Sequence, residues 1–207
     1  MPEPSIADTR TRIFLLGAVE CAAAIFRGPD REGWAALASR GLPELLEHPP
    51  AAFPHATAAL QKLQRALHPE NTPDPDALES EYVRLFVTGP GGAAAPPYES
   101  CHQAAAPRTM GQSARDMQRR LAAHALVLDL PSNEPPDHLA VELELLYHLL
   151  ATAWTRNQPE LETEARTFAR TITPWLGRFH AALENGGAHP AYLAAAELAL
   201  AATRTLA

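Results

Sequence analysis

Apolar residues recur at three- and four-residue spacing through most of this chain, and strict two-residue alternation is nearly absent. The first spacing lines one face of a helix, whereas a half-buried strand needs a period of two. The chain is therefore expected to be all-α. The broadest stripe, Leu139, Glu142, Leu143, Leu146, Leu149 and Leu150, predicts a helix from about Asp137 to Arg156.

Caps and breakers divide the remainder. Ser5 and Asp8 fit an N-cap with an acidic partner three positions on, opening a helix over Ile6 to Arg27 that Gly28-Pro29 ends. Helical segments are expected over Asp30 to Glu47, broken near Gly41-Leu42-Pro43, and over Pro54 to Leu67. Asp74-Pro75 supplies a cap and a first-turn proline for a helix reaching Val87. Gly89 to Pro107 is too rich in glycine and proline for a regular element and reads as a long loop. Thr109 to Ala125, Pro159 to Thr173, Pro174 to Glu184 and Pro190 to Leu206 complete the helices, with breaks at Pro174 and at Asn185-Gly186-Gly187. With 207 residues and no convincing internal repeat, a single domain over 1–207 is expected.

Composition removes several functional classes. Acids outnumber Lys and Arg by 24 to 17, for a net charge of −7, which disfavours nucleic acid and favours cationic partners. Lys62 is the only lysine, so no phosphate loop ending in Gly-Lys is present. No apolar run reaches the roughly 20 residues of a membrane span, and the acidic, proline-containing N-terminus does not resemble a signal peptide. Cys21 and Cys101 make neither a disulfide framework nor a zinc cluster, and Cys21 reads as a buried, inert thiol.

Three short motifs follow in order: Tyr82-x-x-Leu85-Phe86, then Pro96-Pro97-Tyr98-Glu99-Ser100 after a Gly-Pro loop, then Glu134-Pro-x-Asp137-His138 at the head of a helix. Together they resemble the TorD-like family of redox-enzyme maturation chaperones, and Trp175-Leu176-x-x-Phe179 with Pro190-x-Tyr192-Leu193 extends the likeness over roughly residues 78–200. Tyr82 and Tyr98 stand where several relatives have Trp, a departure that bears on the recognised peptide rather than on the fold. The resemblance implies a cytoplasmic helical bundle of the TorD type with no cofactor of its own and no catalytic residues. Its implied partner is the catalytic-subunit precursor of a molybdoenzyme, recognised through a twin-arginine leader or N-terminal segment and, in some relatives, through the enzyme body. Whether the chain exchanges helices as a homodimer through residues 89–107 stays open.

A leader with a basic head and an apolar run calls for an apolar groove edged by acids. Tyr82, Leu85 and Phe86 share a helical face, and Pro97 can present Tyr98 at low entropic cost; these five are assigned apolar contacts or loop shape. Glu99, Glu134, Asp137 and His138 are assigned polar recognition. Leu85 and Phe86 also read as core, Glu99 as a solvated acid, His138 as a surface histidine, and Asp137 as an N-cap whose carboxylate still faces a guanidinium.

The rival class is a metal-dependent helical enzyme, and a generic helical adaptor is the third. Asp137, Glu144 and His148 share a narrow stripe, but seven residues at ~1.5 Å rise separate the first two by roughly 10 Å, too far for one ion. A Glu-x-x-His pair occurs only as Glu99 and His102, in the proline-rich loop. No metal site is expected, and no Gly-x-Ser-x-Gly nucleophile elbow is present.

Overall fold

The computed structural model describes residues 6, 8–71, 75–88, 92–103, 111–128 and 135–207. It is a helical bundle with no β-strand among the described residues. The helices are α1 (Thr9–Phe26), α2 (Arg31–Ala36), α3 (Leu42–Glu47), α4 (Pro54–Ala66), α5 (Pro75–Tyr82), α6 (Gln112–Ala123), α7 (Leu139–Arg156), α8 (Pro159–Asn185) and α9 (Pro190–Leu206). Ser5, Asp74, Glu134 and residues 89–91 and 104–107 of the Gly89 to Pro107 loop lie outside the described residues.

The center is α9, which packs against α1, α4 and α8, while α7 lies between α1 and α8. Ala194, Ala195, Ala196, Ala199 and Ala202 are all buried. Their small side chains let α9 be approached from several sides, so it is apolar nearly all round, as an interior helix must be. Beside it, Tyr82, Phe86, Phe179 and Tyr192 form an aromatic cluster with Phe26, with ring centroids 4.9 Å apart for Tyr82 and Phe86 and 5.3 Å for Phe26 and Phe179. Cys21 is buried, and desolvation pushes its thiol up to about 12, which accords with an inert residue.

Two expected breaks are absent. The α2 helix runs into a π-helical turn, Leu37–Gly41, and on into α3 without interruption. Pro43 has no N–H to give the carbonyl four residues back, and in the widened turn the Leu42 N–H reaches Leu37 O instead. Likewise, α8 passes straight through Pro174. Its buried stripe continues on both sides of the proline, from Phe168, Ala169 and Ile172 to Trp175, Leu176 and Phe179, so tertiary packing outweighs the one lost hydrogen bond. A second π turn, Val83–Val87, follows α5.

Helix starts follow local chemistry. Asp8 caps α1 by accepting the Thr11 N–H at 2.9 Å, and Asp30 caps α2 by accepting the Gly33 N–H at 2.8 Å. At α7 and α9 the caps are histidines: His138 Nδ1 accepts from Ala140 N at 3.1 Å, and His189 Nδ1 accepts from Ala191 N at 3.2 Å. An imidazole nitrogen can accept there only when it carries no proton.

Candidate functional site

The segment 96–102 is held against the head of α7 by its own backbone. Tyr98 and His138 form an antiparallel bridge. Glu99 N–H donates to Asp137 O at 3.0 Å, and Leu139 N–H donates to Pro97 O at 2.8 Å. The chain then turns in a short 3-10 helix, Glu99–His102. Two motifs far apart in sequence thus become one unit, and the Tyr98 ring meets the His138 ring edge-on at 5.1 Å.

Asp137 fastens this unit from beneath. It is fully buried, and its Oδ2 accepts the Ser100 N–H at 2.9 Å and the Ser113 Oγ–H at 3.0 Å, tying together the loop, α6 and the start of α7. Its Oδ1 is buried with no donor among the described residues. The expected N-cap role is therefore corrected. The helix starts at Leu139, its cap is His138, and the Asp137 carboxylate points into the protein, away from a position where it would face a guanidinium directly.

Beside Asp137 lies a pair of carboxyl groups. Glu142 is 1% exposed, and its Oε2 accepts the Trp175 Nε1–H at 3.0 Å. Burial, and next the charges of Glu99 and Asp137, push the Glu142 carboxyl well above the usual carboxylate range. Glu99 is half-buried, and burial raises it as well, opposed by hydrogen bonds from Gln103 and Glu142. Burial thus favours the neutral carboxyl at Glu142 more strongly than at half-buried Glu99. His102 stacks on Trp175 with centroids 5.7 Å apart, and its Nε2 contacts Pro96 O at 2.7 Å. Burial lowers the His102 ring below the usual imidazole value.

The remaining expected residues fall into two groups. Tyr98 and Glu99 are half-exposed, whereas Leu85, Phe86, Pro97 and His138 are buried. Leu85 and Phe86 are core residues that shape the loop from behind, with Leu85 O accepting the Ala95 N–H at 2.8 Å. Tyr82 is partly buried, and its hydroxyl donates to Phe26 O at 3.1 Å. Glu134 lies outside the described residues. Ser100, Ser113, Glu142 and Trp175 escaped the site reading. The clues available were Glu142, an acid set in the apolar stripe of its own helix, and Ser100 and Trp175, which stand within the motifs; nothing in the sequence marked Ser113.

Among the described residues, no group of three or more His, Cys, Asp or Glu side chains has the geometry to hold a metal ion, and no helix is long and apolar enough to cross a membrane.

The bundle has the fold of a structure proposed as a redox enzyme maturation protein from Archaeoglobus fulgidus, with a TM-score of 0.58, 23% identity, and 88% of this chain and 90% of that one covered. Residues 51–181 match the family described as nitrate reductase delta subunit, and the chain belongs to that family, the TorD-like group its motifs resemble. A 99-residue stretch is 34% identical to the chaperone protein TorD of Vibrio cholerae serotype O1, covering 44% of each chain. A 133-residue stretch is 30% identical to the chaperone protein TorD of Vibrio atlanticus, covering 59% of this chain and 60% of that one. For the TorD of Shewanella piezotolerans the figures are 31% over 132 residues, 60% and 58%. The chain thus spans less than two thirds of the length of these curated relatives.

Proposed function

We propose that this protein is a maturation chaperone for a molybdenum-containing oxidoreductase. It binds the leader or N-terminal segment of the catalytic-subunit precursor in the cytoplasm, holds the precursor until its cofactor is inserted, and catalyses no reaction itself. Membership of the family and the likeness to proteins named TorD support this reading. The observation that carries it is the joining of the Pro-Pro-Tyr-Glu-Ser and Asp-His segments into one unit that leaves Tyr98 and Glu99 accessible. Tyr98 offers an aromatic face to an apolar side chain. Glu99 is the reachable member of an acid cluster, and its buried neighbour Asp137 adds negative charge at the same spot.

Calorimetric titration with leader peptides and N-terminal segments of the molybdoenzymes from the same genome tests the reading. One of them is expected to bind, with replacement of its arginine pair by Ala, or Tyr98→Ala or Glu99→Gln in the protein, costing about tenfold each, or ~1.4 kcal/mol. If none of the segments binds, the reading fails.

A further inference from the structure

Residues 96–102 lie across the aromatic core as a strap. The His102 ring stacks on Trp175 and meets Phe179 edge-on at 5.6 Å, and both of those side chains are buried beneath it. One edge of the strap is fastened to the head of α7, by Glu99 N–H to Asp137 O, Leu139 N–H to Pro97 O and Ser100 N–H to Asp137 Oδ2. The other edge is held by Arg178 of α8, whose Nε donates to His102 O at 2.5 Å.

The charges around this strap are mostly of one sign. Glu142 faces it from α7 and Asp137 from the head of the same helix, while Glu99 stands on the strap itself. From α6, Asp116 adds its charge against Glu99. On α8 the Trp175 indole N–H donates to Glu142, Arg178 is engaged by His102 O, and Arg119 of α6 is paired with Asp116. The remaining titratable groups of the strap lean towards neutrality, since burial lowers the His102 ring and raises the Cys101 thiol. While Glu142 is neutral, the strap closes over a corner that already holds the Asp137 carboxylate. Once Glu142 ionises, Glu99, Asp137 and Glu142 are three carboxylates in one desolvated place, where the cost of burial and the repulsion of like charges act together. Asp137 is sunk in the core, and Glu142 is fixed on a long helix beneath the indole. Half-buried Glu99, on a single 3-10 turn, is the member that is free to leave.

We infer that residues 96–102 form a proton-operated lid: a neutral Glu142 lets it lie closed over Trp175 and Phe179, and an ionised Glu142 drives Glu99 and its turn outward. Opening bares an aromatic surface rimmed by carboxylates. The lid therefore opens as pH rises through the raised folded-state value of Glu142 and is fully closed below the ordinary glutamate value. This device is intramolecular, needs no bound partner, and stands apart from the chaperone reading.

Amide hydrogen exchange of the full chain, followed by NMR between pH 6 and pH 9, tests it. Protection factors, corrected for the intrinsic rate at each pH, report local opening at the Glu99, Ser100 and Leu139 amides. The Trp175 indole N–H resonance reports the ionisation of Glu142 over the same range. In the wild type, protection at the three amides is expected to fall by at least about tenfold as the indole signal titrates, while buried amides of α9 such as Leu198 keep theirs. Glu142→Gln should hold its pH 6 protection at pH 9. Glu99→Gln changes a half-exposed side chain and keeps the Glu142 ionisation, so it tests the repulsion separately and should cut the fall to about threefold or less. Protection that does not change with pH in the wild type overturns the lid. So does a fall of the same size in Glu142→Gln or Glu99→Gln, or one shared by the α9 amides, which is unfolding of the whole bundle.

Discussion

The Trp175 indole N–H donates to Glu142 Oε2 at 3.0 Å from a site where the acid is 1% exposed, so a carboxyl group on α7 is held by α8 inside the core. Its folded-state affinity for a proton is raised by burial and by the charges of Glu99 and Asp137. The folded state therefore binds more protons than the unfolded state between the ordinary Glu value, near 4.5, and the raised folded value. Stability from this group is full below the ordinary value and is lost as pH rises through the folded one. Glu142→Gln keeps an acceptor for Trp175 and removes the ionisation, so the variant should be more stable than the wild type at pH 8, by about 1 to 3 kcal/mol, the usual cost of a poorly satisfied buried polar group. The difference should shrink toward pH 4.5 in urea melts taken across that range.

Asp137 anchors three elements through Ser100 and Ser113. Asp137→Ala should lower stability by about 2 to 4 kcal/mol, because hydrogen bonds to a charged acceptor are worth about 1.5 to 3 kcal/mol each and the Ser100 N–H is left buried. Ser113→Ala should cost less, about 1 to 2 kcal/mol, and the double variant should fall short of the sum, since both report on one network. Denaturant midpoints measure all three. Loss of client binding in Asp137→Ala would then trace to a released loop rather than to a missing contact with the client.

Gly28 has φ +81°, and a Cβ there would lie 2.9 Å from the Tyr82 ring. Gly28→Ala meets both the left-handed backbone and the ring, and should destabilise by about 1 to 3 kcal/mol. Tyr82→Phe, which loses only the bond to Phe26 O, should cost about 1 kcal/mol. Thermal melts that reversed this order would overturn the account of how α5 seats against the end of α1.

His189 caps α9 through an unprotonated Nδ1, and burial lowers its proton affinity against the opposing pull of Glu81. The unfolded chain takes up the proton first as pH falls, so the stability this residue contributes is complete above the ordinary value of 6.5 and is lost as pH drops from there through the lowered folded value. His189→Ala should cost about 1 kcal/mol at pH 8, the usual worth of a cap, and less at pH 5. A cost that did not change with pH would show that the ring acts by packing alone.

Much of the architecture was legible in the sequence because it is local. Periodicity gave the helical class, and Asp30 and the glycines near 186 gave helix ends, since a cap or a left-handed turn needs only its immediate neighbours; at α1 the cap is Asp8, expected as the acidic partner within the first turn, and the helix starts at Thr9 rather than Ile6. The motif spacing also gave the family. What local reasoning could not give was the outcome of competition between a residue's own preference and its packing. Pro174 and Pro43 read as breaks, yet the apolar stripe of α8 and the π turn before α3 keep both segments helical. Asp137 read as a cap, and the tertiary structure turned it inward because Ser100 and Ser113 arrive there from elsewhere in the chain. The burial of Glu142 under Trp175 and the pairing of Tyr98 with His138 likewise depend on which distant elements meet. No periodicity or spacing encodes those meetings, because they follow from the packing of the whole bundle.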